Sequence, residues 1–96
     1  MFNIGDILVG SWGCQQTNVE FFQVVSAIGK SMIEIRPLKA LEFESKNLTG
    51  LTVPVPDIFT GEVIRKKTNA TGIIRVNRDL CVKLWDGEPR RYSTGY

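Results

Sequence analysis

Short apolar runs separated by turn chemistry recur along this chain. Ile7-Leu8-Val9 follows Gly5-Asp6 and ends at Gly10-Ser11-Trp12-Gly13, which predicts a first strand with a bend or bulge at its glycine-flanked exit. The polar stretch Cys14 to Asn18 separates it from Val19-Glu20-Phe21-Phe22-Gln23-Val24-Val25-Ser26-Ala27-Ile28, which is rich in β-branched and aromatic residues. Gly29-Lys30 supplies a tight turn, and Ser31 to Leu38 resumes with period-two alternation, so these two segments are expected to pair as a hairpin. Pro37 cannot donate to a ladder and puts that strand at an edge or a bulge.

Beyond this point the pattern weakens. Lys39 to Gly50 mixes Leu41, Phe43 and Leu48 with charged residues, which suits a meandering strand or a long loop. Thr52-Val53-Pro54-Val55-Pro56 is extended, because residues before proline avoid the α region, and it reads as a connector or an edge. Gly61 to Thr68 and Gly72 to Asn77 flank the turn-like Asn69-Ala70-Thr71 and suggest a second hairpin; Leu80 to Trp85, Asp86-Gly87 and Glu88 to Ser93 suggest a last one. About six or seven short strands with little or no helix indicate an all-β fold, a small antiparallel barrel of the SH3-like or a related kind. Such barrels leave edges, and a homo-oligomer is an expected way to cover them.

A chain of 96 residues holds one core, so residues 1–96 are expected to form a single domain. Hydrophobic content of 43% with 23% charged residues fits a globular protein rather than a disordered one. No apolar run approaches the roughly 20 residues of a membrane-spanning helix, and Met1 to Asp6 lacks a basic leader and an apolar signal core. A cytoplasmic address with no membrane partner is the expectation. Cys14 and Cys81 have no metal-ligand spacing and are expected to be reduced, small apolar fillers; without histidine, zinc is not expected, nor is any other cofactor.

The absence of histidine also removes the usual acid–base catalyst, and the ten acidic residues form no cluster that would grip a metal. Cys14 has no neighbouring base or cation to activate it. No loop matches a phosphate-cradling glycine motif. The chain is therefore expected to bind rather than catalyse. Charge is unevenly spread: residues 1–60 hold four Lys/Arg and six Asp/Glu, residues 61–96 eight and four. The basic last third fits an anionic partner such as phosphate, although a basic strand pair is more often a solvated face or a guarded sheet edge.

The segment Ser11 to Asn18 gathers an indole, amides and hydroxyls. Trp12 offers a stacking face, while Gln16, Thr17 and Asn18 offer the paired donors and acceptors that suit a base edge. Trp85 adds a second stacking surface, and Arg75, Arg90 and Arg91 add cations for phosphate. These nine residues, Ser11 included, are the candidate ligand-binding set. The alternative is that both tryptophans pack into the core and the polar residues bond their own loop.

Gly5-Asp6-Ile7-Leu8-Val9, Ser11-Trp12-Gly13 and Gln16-Thr17-Asn18 through Val25 resemble the start of a small family of proteins borne by bacteriophages, plasmids and related mobile elements. Trp85-Asp86-Gly87-Glu88-Pro89 and the polar-aromatic tail Tyr92 to Tyr96 are similar to its ending. Cys14 stands where that family usually has an aromatic residue, so no stacking role carries over to this position. The resemblance itself supplies no activity. By analogy of role, a compact phage-borne domain with aromatics, amides and cations suits sequestration of a nucleotide signal of bacterial immunity. A nucleic-acid-binding module and a protein that caps a host defence enzyme through an edge strand are the other readings.

Overall fold

The computed structural model describes residues 2–13 and 16–93, and among them every regular element is a β-strand. The strands are β1 (Ile7–Trp12), β2 (Asn18–Ile28), β3 (Met32–Lys46), β4 (Thr49–Phe59), β5 (Ile64–Lys67), β6 (Ile74–Asn77), β7 (Leu80–Leu84) and β8 (Arg90–Ser93). All pair antiparallel in the order β6-β7-β1-β2-β3-β4-β8, and β5 pairs with β3. The sheet curls into a small barrel-like fold without closing. Its eight strands exceed the six or seven expected, because Thr52 to Pro56, expected as a connector or an edge, lies within a full strand, β4; the stretch after Lys39 takes the strand alternative and lengthens β3. No described helix is long and apolar enough to cross a membrane.

The layout follows from β2. Side chains alternate across a strand, so a run buried at every position must be covered on both faces. Phe21, Phe22, Gln23 and Val24 are such a run. Phe22 and Val24 join Leu8, Ile33, Ile35, Ile74, Leu80, Val82 and Phe2 in one core. Phe21 joins Val9 and Leu38 in a second, against which Val19, Ala40, Phe59 and Trp85 pack. The β1–β2 hairpin is thus the wall between two apolar layers.

β3 serves both layers by changing neighbours. Its first half lies between β2 and β5, and from Leu38 onward it pairs with β4. Pro37, with no N–H to give, stands at the changeover, where its carbonyl accepts from the Thr60 amide at 3.0 Å. Pro54 and Pro56 lie on the part of β4 beyond Thr52, past the reach of β8, where a missing ladder donor costs least. Arg36 donates to the Gly61 carbonyl at 3.0 Å and lies 4.4 Å from the Phe59 ring centroid, which fixes this end of β4 over the second core.

The buried amide of Gln23 ties β4 to β2. Its Nε2 donates to Asp57 Oδ1 at 2.8 Å, and its Oε1 accepts from the Asp57 backbone N–H at 2.9 Å. Asp57 holds φ at 67°, a conformation in which Asp is among the better tolerated side chains. The closed pair of bonds satisfies the one amide placed among phenylalanines.

Three local expectations are corrected. β5 and β6 do not pair although Asn69-Ala70-Thr71 is a turn, in which Asn69 Oδ1 accepts from the Thr71 amide at 2.9 Å; β5 crosses to β3 instead. β7 and β8 are not a hairpin either, since β7 lies between β6 and β1 while β8 adds to β4. Cys81 is exposed rather than a buried filler, because it alternates with the buried Leu80 and Val82. Cys14 lies outside the described residues. The close approach of β7 to β1 needs glycine at position 10, where a Cβ would overlap the Cys81 carbonyl oxygen.

Gln23→Ala should lower unfolding free energy by about 1–3 kcal/mol, the usual cost of stranding a buried hydrogen-bonding group. Urea denaturation checks this, and an unchanged midpoint would mean that the Gln23–Asp57 pair does not hold β4.

Candidate ligand site

Past Phe22 and Pro37, β2 and β3 have no further paired residues, and the polar first residues of β2 are free to face a concavity. β8 reaches back to them: the Ser93 amide donates to the Thr17 carbonyl at 3.1 Å, and the Thr17 amide donates to Ser93 Oγ at 2.8 Å. Two hollows open beside this bridge, with Thr17 and Val19 in the walls of both.

The first hollow, about 320 Å³, is basic. Val9 and Val19 give it an apolar floor, Ser11 and Thr17 contribute hydroxyls, and Lys83, Arg90 and Arg91 contribute cations opposed by Asp86. Strand pairing assembles it: Ser11 faces Val19 across β1–β2, and Lys83 on β7 faces Val9 on β1. Neither Lys83 nor Arg91 meets a carboxylate among the described residues. Arg90 does, with Nη1 3.2 Å from Asp86 Oδ1.

Asp86 belongs to a turn built on Trp85. The Trp85 ring meets Phe21 edge to face at 5.9 Å, its backbone N–H donates to the Ile7 carbonyl at 2.8 Å, and its Nε1 donates to the Glu88 carbonyl at 2.7 Å. The Glu88 amide donates to Asp86 Oδ1 at 3.0 Å. This amide bond first, and then Arg90, hold the Asp86 carboxyl below its ordinary 3.8. The turn therefore carries a fixed negative charge through neutral and mildly acidic pH, and Arg90 is clamped where it borders the hollow.

The second hollow, also about 320 Å³, is acidic. Trp12, Asn18 and Glu20 form one side, and Ala40, Glu42, Thr52, Tyr92 and Ser93 the other. Trp12 is 42% exposed, and its indole N–H donates to Glu20 Oε2. Asn18 Nδ2 donates to the Trp12 carbonyl at 3.3 Å. Tyr92 lies over Gly50, where a Cβ would come within 2.7 Å of its ring, and its hydroxyl pairs with Ser45 at 2.8 Å. Gly13, at φ 127°, turns the chain between Trp12 and the polar segment; a side chain there would strike the Gln16 carbonyl.

The nine residues singled out in the sequence therefore fall into three groups. Ser11, Thr17, Arg90 and Arg91 meet at the basic hollow, and Trp12, Thr17 and Asn18 at the acidic one. Gln16 lines neither. Trp85 packs on the second core, and Arg75 lies apart, its Nη2 donating to the Arg78 carbonyl at 3.1 Å across the β6–β7 turn. Sequence reasoning missed Lys83, Asp86, Glu20, Glu42 and Thr52. The alternation Leu80-Cys81-Val82-Lys83 already puts Lys83 opposite the core; nothing local announces which strand it faces. No family model, curated protein or solved structure matches the chain.

Charge should fade from the Asp86–Arg90 turn only when pH falls below the usual carboxylate range, because the depressed carboxyl keeps its partner until then. A carboxylate NMR titration should find the Asp86 midpoint below 3.8, and Arg90→Ala should move it only part of the way back, since the Glu88 amide remains. A midpoint at or above the ordinary value would contradict the clamp.

Proposed function

We propose that this chain is a non-catalytic binding domain that captures a small anionic ligand of the nucleotide class. The observation that carries the reading is the convergence of Lys83, Arg90 and Arg91 with Ser11 and Thr17 over an apolar floor. Cations lacking a carboxylate partner hold a charge that a phosphate can claim, and guanidinium groups fit phosphate oxygens in pairs. A hollow of about 320 Å³ lies at the small end of ligand pockets, large enough for a nucleotide headgroup. Apolar walls with a few fixed polar groups are the usual composition of such pockets.

Binding without chemistry is supported by the chain's lack of histidine and by the use of Asp86, the carboxylate of the basic hollow, as a partner for Arg90. With the resemblance to phage- and plasmid-borne proteins, the biological form of this proposal is sequestration of a nucleotide signal of the bacterial host's immunity. A protein of this kind acts by mass action: it lowers free ligand in proportion to its own abundance and affinity.

Isothermal titration against a panel of linear and cyclic nucleotides is the test. Binding is expected, with unchanged ligand mass after incubation, and Lys83→Ala combined with Arg91→Ala should weaken it about tenfold or more, since each removes a charge-assisted contact. The reading fails if no nucleotide produces heat or a thermal shift. Salt-dependent retention on DNA or RNA with no mononucleotide binding would transfer the basic hollow to a nucleic-acid role.

A further inference from the structure

We infer that the basic hollow takes a terminal phosphomonoester, so that the captured nucleotide is linear and ends in a free phosphoryl group rather than being closed into a cyclic diester. The inference rests on the nucleotide reading of this hollow and narrows the guest to one of the two kinds of phosphate ester a nucleotide carries.

The two esters differ in charge. At neutral pH a phosphomonoester carries about −1.5 to −2, its second ionisation lying at about 6, whereas a diester has a single ionisable oxygen and a single negative charge. In the lining, Lys83, Arg90 and Arg91 stand against Asp86 alone, which leaves two positive charges in excess. β1 and β2, the other strands in the walls, bring no charged side chain to the hollow. A monoester matches that excess, and a diester leaves part of it uncompensated.

The esters differ also in the oxygens left free to accept. A terminal phosphoryl group presents three strong acceptor oxygens, while a diester has tied one more of them into a bond to sugar. The hollow has donors for all three. Among the described residues, the side chains of Ser11, Thr17, Lys83 and Arg91 meet no hydrogen-bond or ion-pair partner. Arg90 spends only Nη1 on Asp86 and keeps its other N–H groups. Asp86 is itself engaged by Arg90 and the Glu88 amide, so the one carboxylate of the lining is occupied before a guest arrives. Three oxygens can each face one cation, with the hydroxyls of Ser11 and Thr17 at the sides; with two oxygens one cation goes without. Shape works in the same direction. In a hollow of about 320 Å³ a terminal group enters end-on through a rotatable bond, whereas a cyclic phosphate is fused to its ribose and presents its oxygens only with the sugar beside them.

The test is titration calorimetry of the full chain with the four 5′-mononucleotides AMP, GMP, CMP and UMP, their 3′,5′-cyclic counterparts and inorganic phosphate. The tightest monophosphate should bind about tenfold or more tighter than its cyclic counterpart, the worth of one charge-assisted contact. Its methyl phosphate ester, open-chained but singly charged, should bind like the cyclic form. The advantage should shrink severalfold at pH of about 5, below the second phosphate ionisation. Asp86, held below its ordinary 3.8, is still charged there, so the change belongs to the guest. Lys83→Ala, at an exposed position and checked by an unchanged melting curve, should cost the monophosphate more than the cyclic form. Equal affinity for linear and cyclic forms, a methyl ester as tight as its parent, an advantage unchanged at low pH, or an equal loss for both forms in Lys83→Ala overturns the inference and leaves the nucleotide reading standing. No binding by any nucleotide, or inorganic phosphate binding as tightly as the best mononucleotide, overturns both.

Discussion

With Phe22 and Val24 committed to one core and Phe21 and Gln23 to the opposite face, β2 cannot slip by one residue without sending both sets of side chains to the wrong side. Most sheet strands pay for a register error on one face; this one pays on two. Its fixed register aligns β1 and the start of β3, and through the Gln23–Asp57 pair it also sets where β4 turns away. The candidate site inherits that precision. Val19 lies two residues upstream of Phe21 on the same strand face, and Thr17, just before β2, is bridged to Ser93, so anchoring the phenylalanine sets the floor of both hollows.

The two hollows differ in charge because different strands complete them. β7 and the first residues of β8 bring cations to one, whereas the far half of β3 and the middle of β4 bring a carboxylate and a hydroxyl to the other. The Trp85 turn contributes rigidity rather than contact: its indole is spent on Phe21 and the Glu88 carbonyl, and that anchorage fixes Asp86 and Arg90.

What the sequence made legible was what neighbouring residues decide. The β2–β3 hairpin follows from Gly29-Lys30 between alternating segments, and the extended backbone of Thr52 to Pro56 follows from proline chemistry, although the segment belongs to a strand between β3 and β8 rather than to a connector or an edge. The pairings of β5 with β3 and of β8 with β4 were not legible, because genuine turn signals at Asn69-Ala70-Thr71 and Asp86-Gly87 join strands that leave for distant partners. The same division runs through the site. Ser11, Thr17, Asn18 and the two arginines of β8 stood out by residue type. Trp85 and Arg75 line neither hollow, and Lys83 and Glu42 read as ordinary solvated strand positions until long-range pairing gave them a hollow to face.

The bridge between Thr17 and Ser93 joins residues 76 positions apart. Closing so long a loop is entropically slow, and the contacts that reward it form only after the intervening strands are in order. Neither hollow has its full lining until β8 docks, so both are completed at the end of folding rather than alongside the first core. A guest that touches both Thr17 and β8 would in turn act as a clasp, holding the last strand in place and making the occupied protein harder to fray from that edge than the empty one.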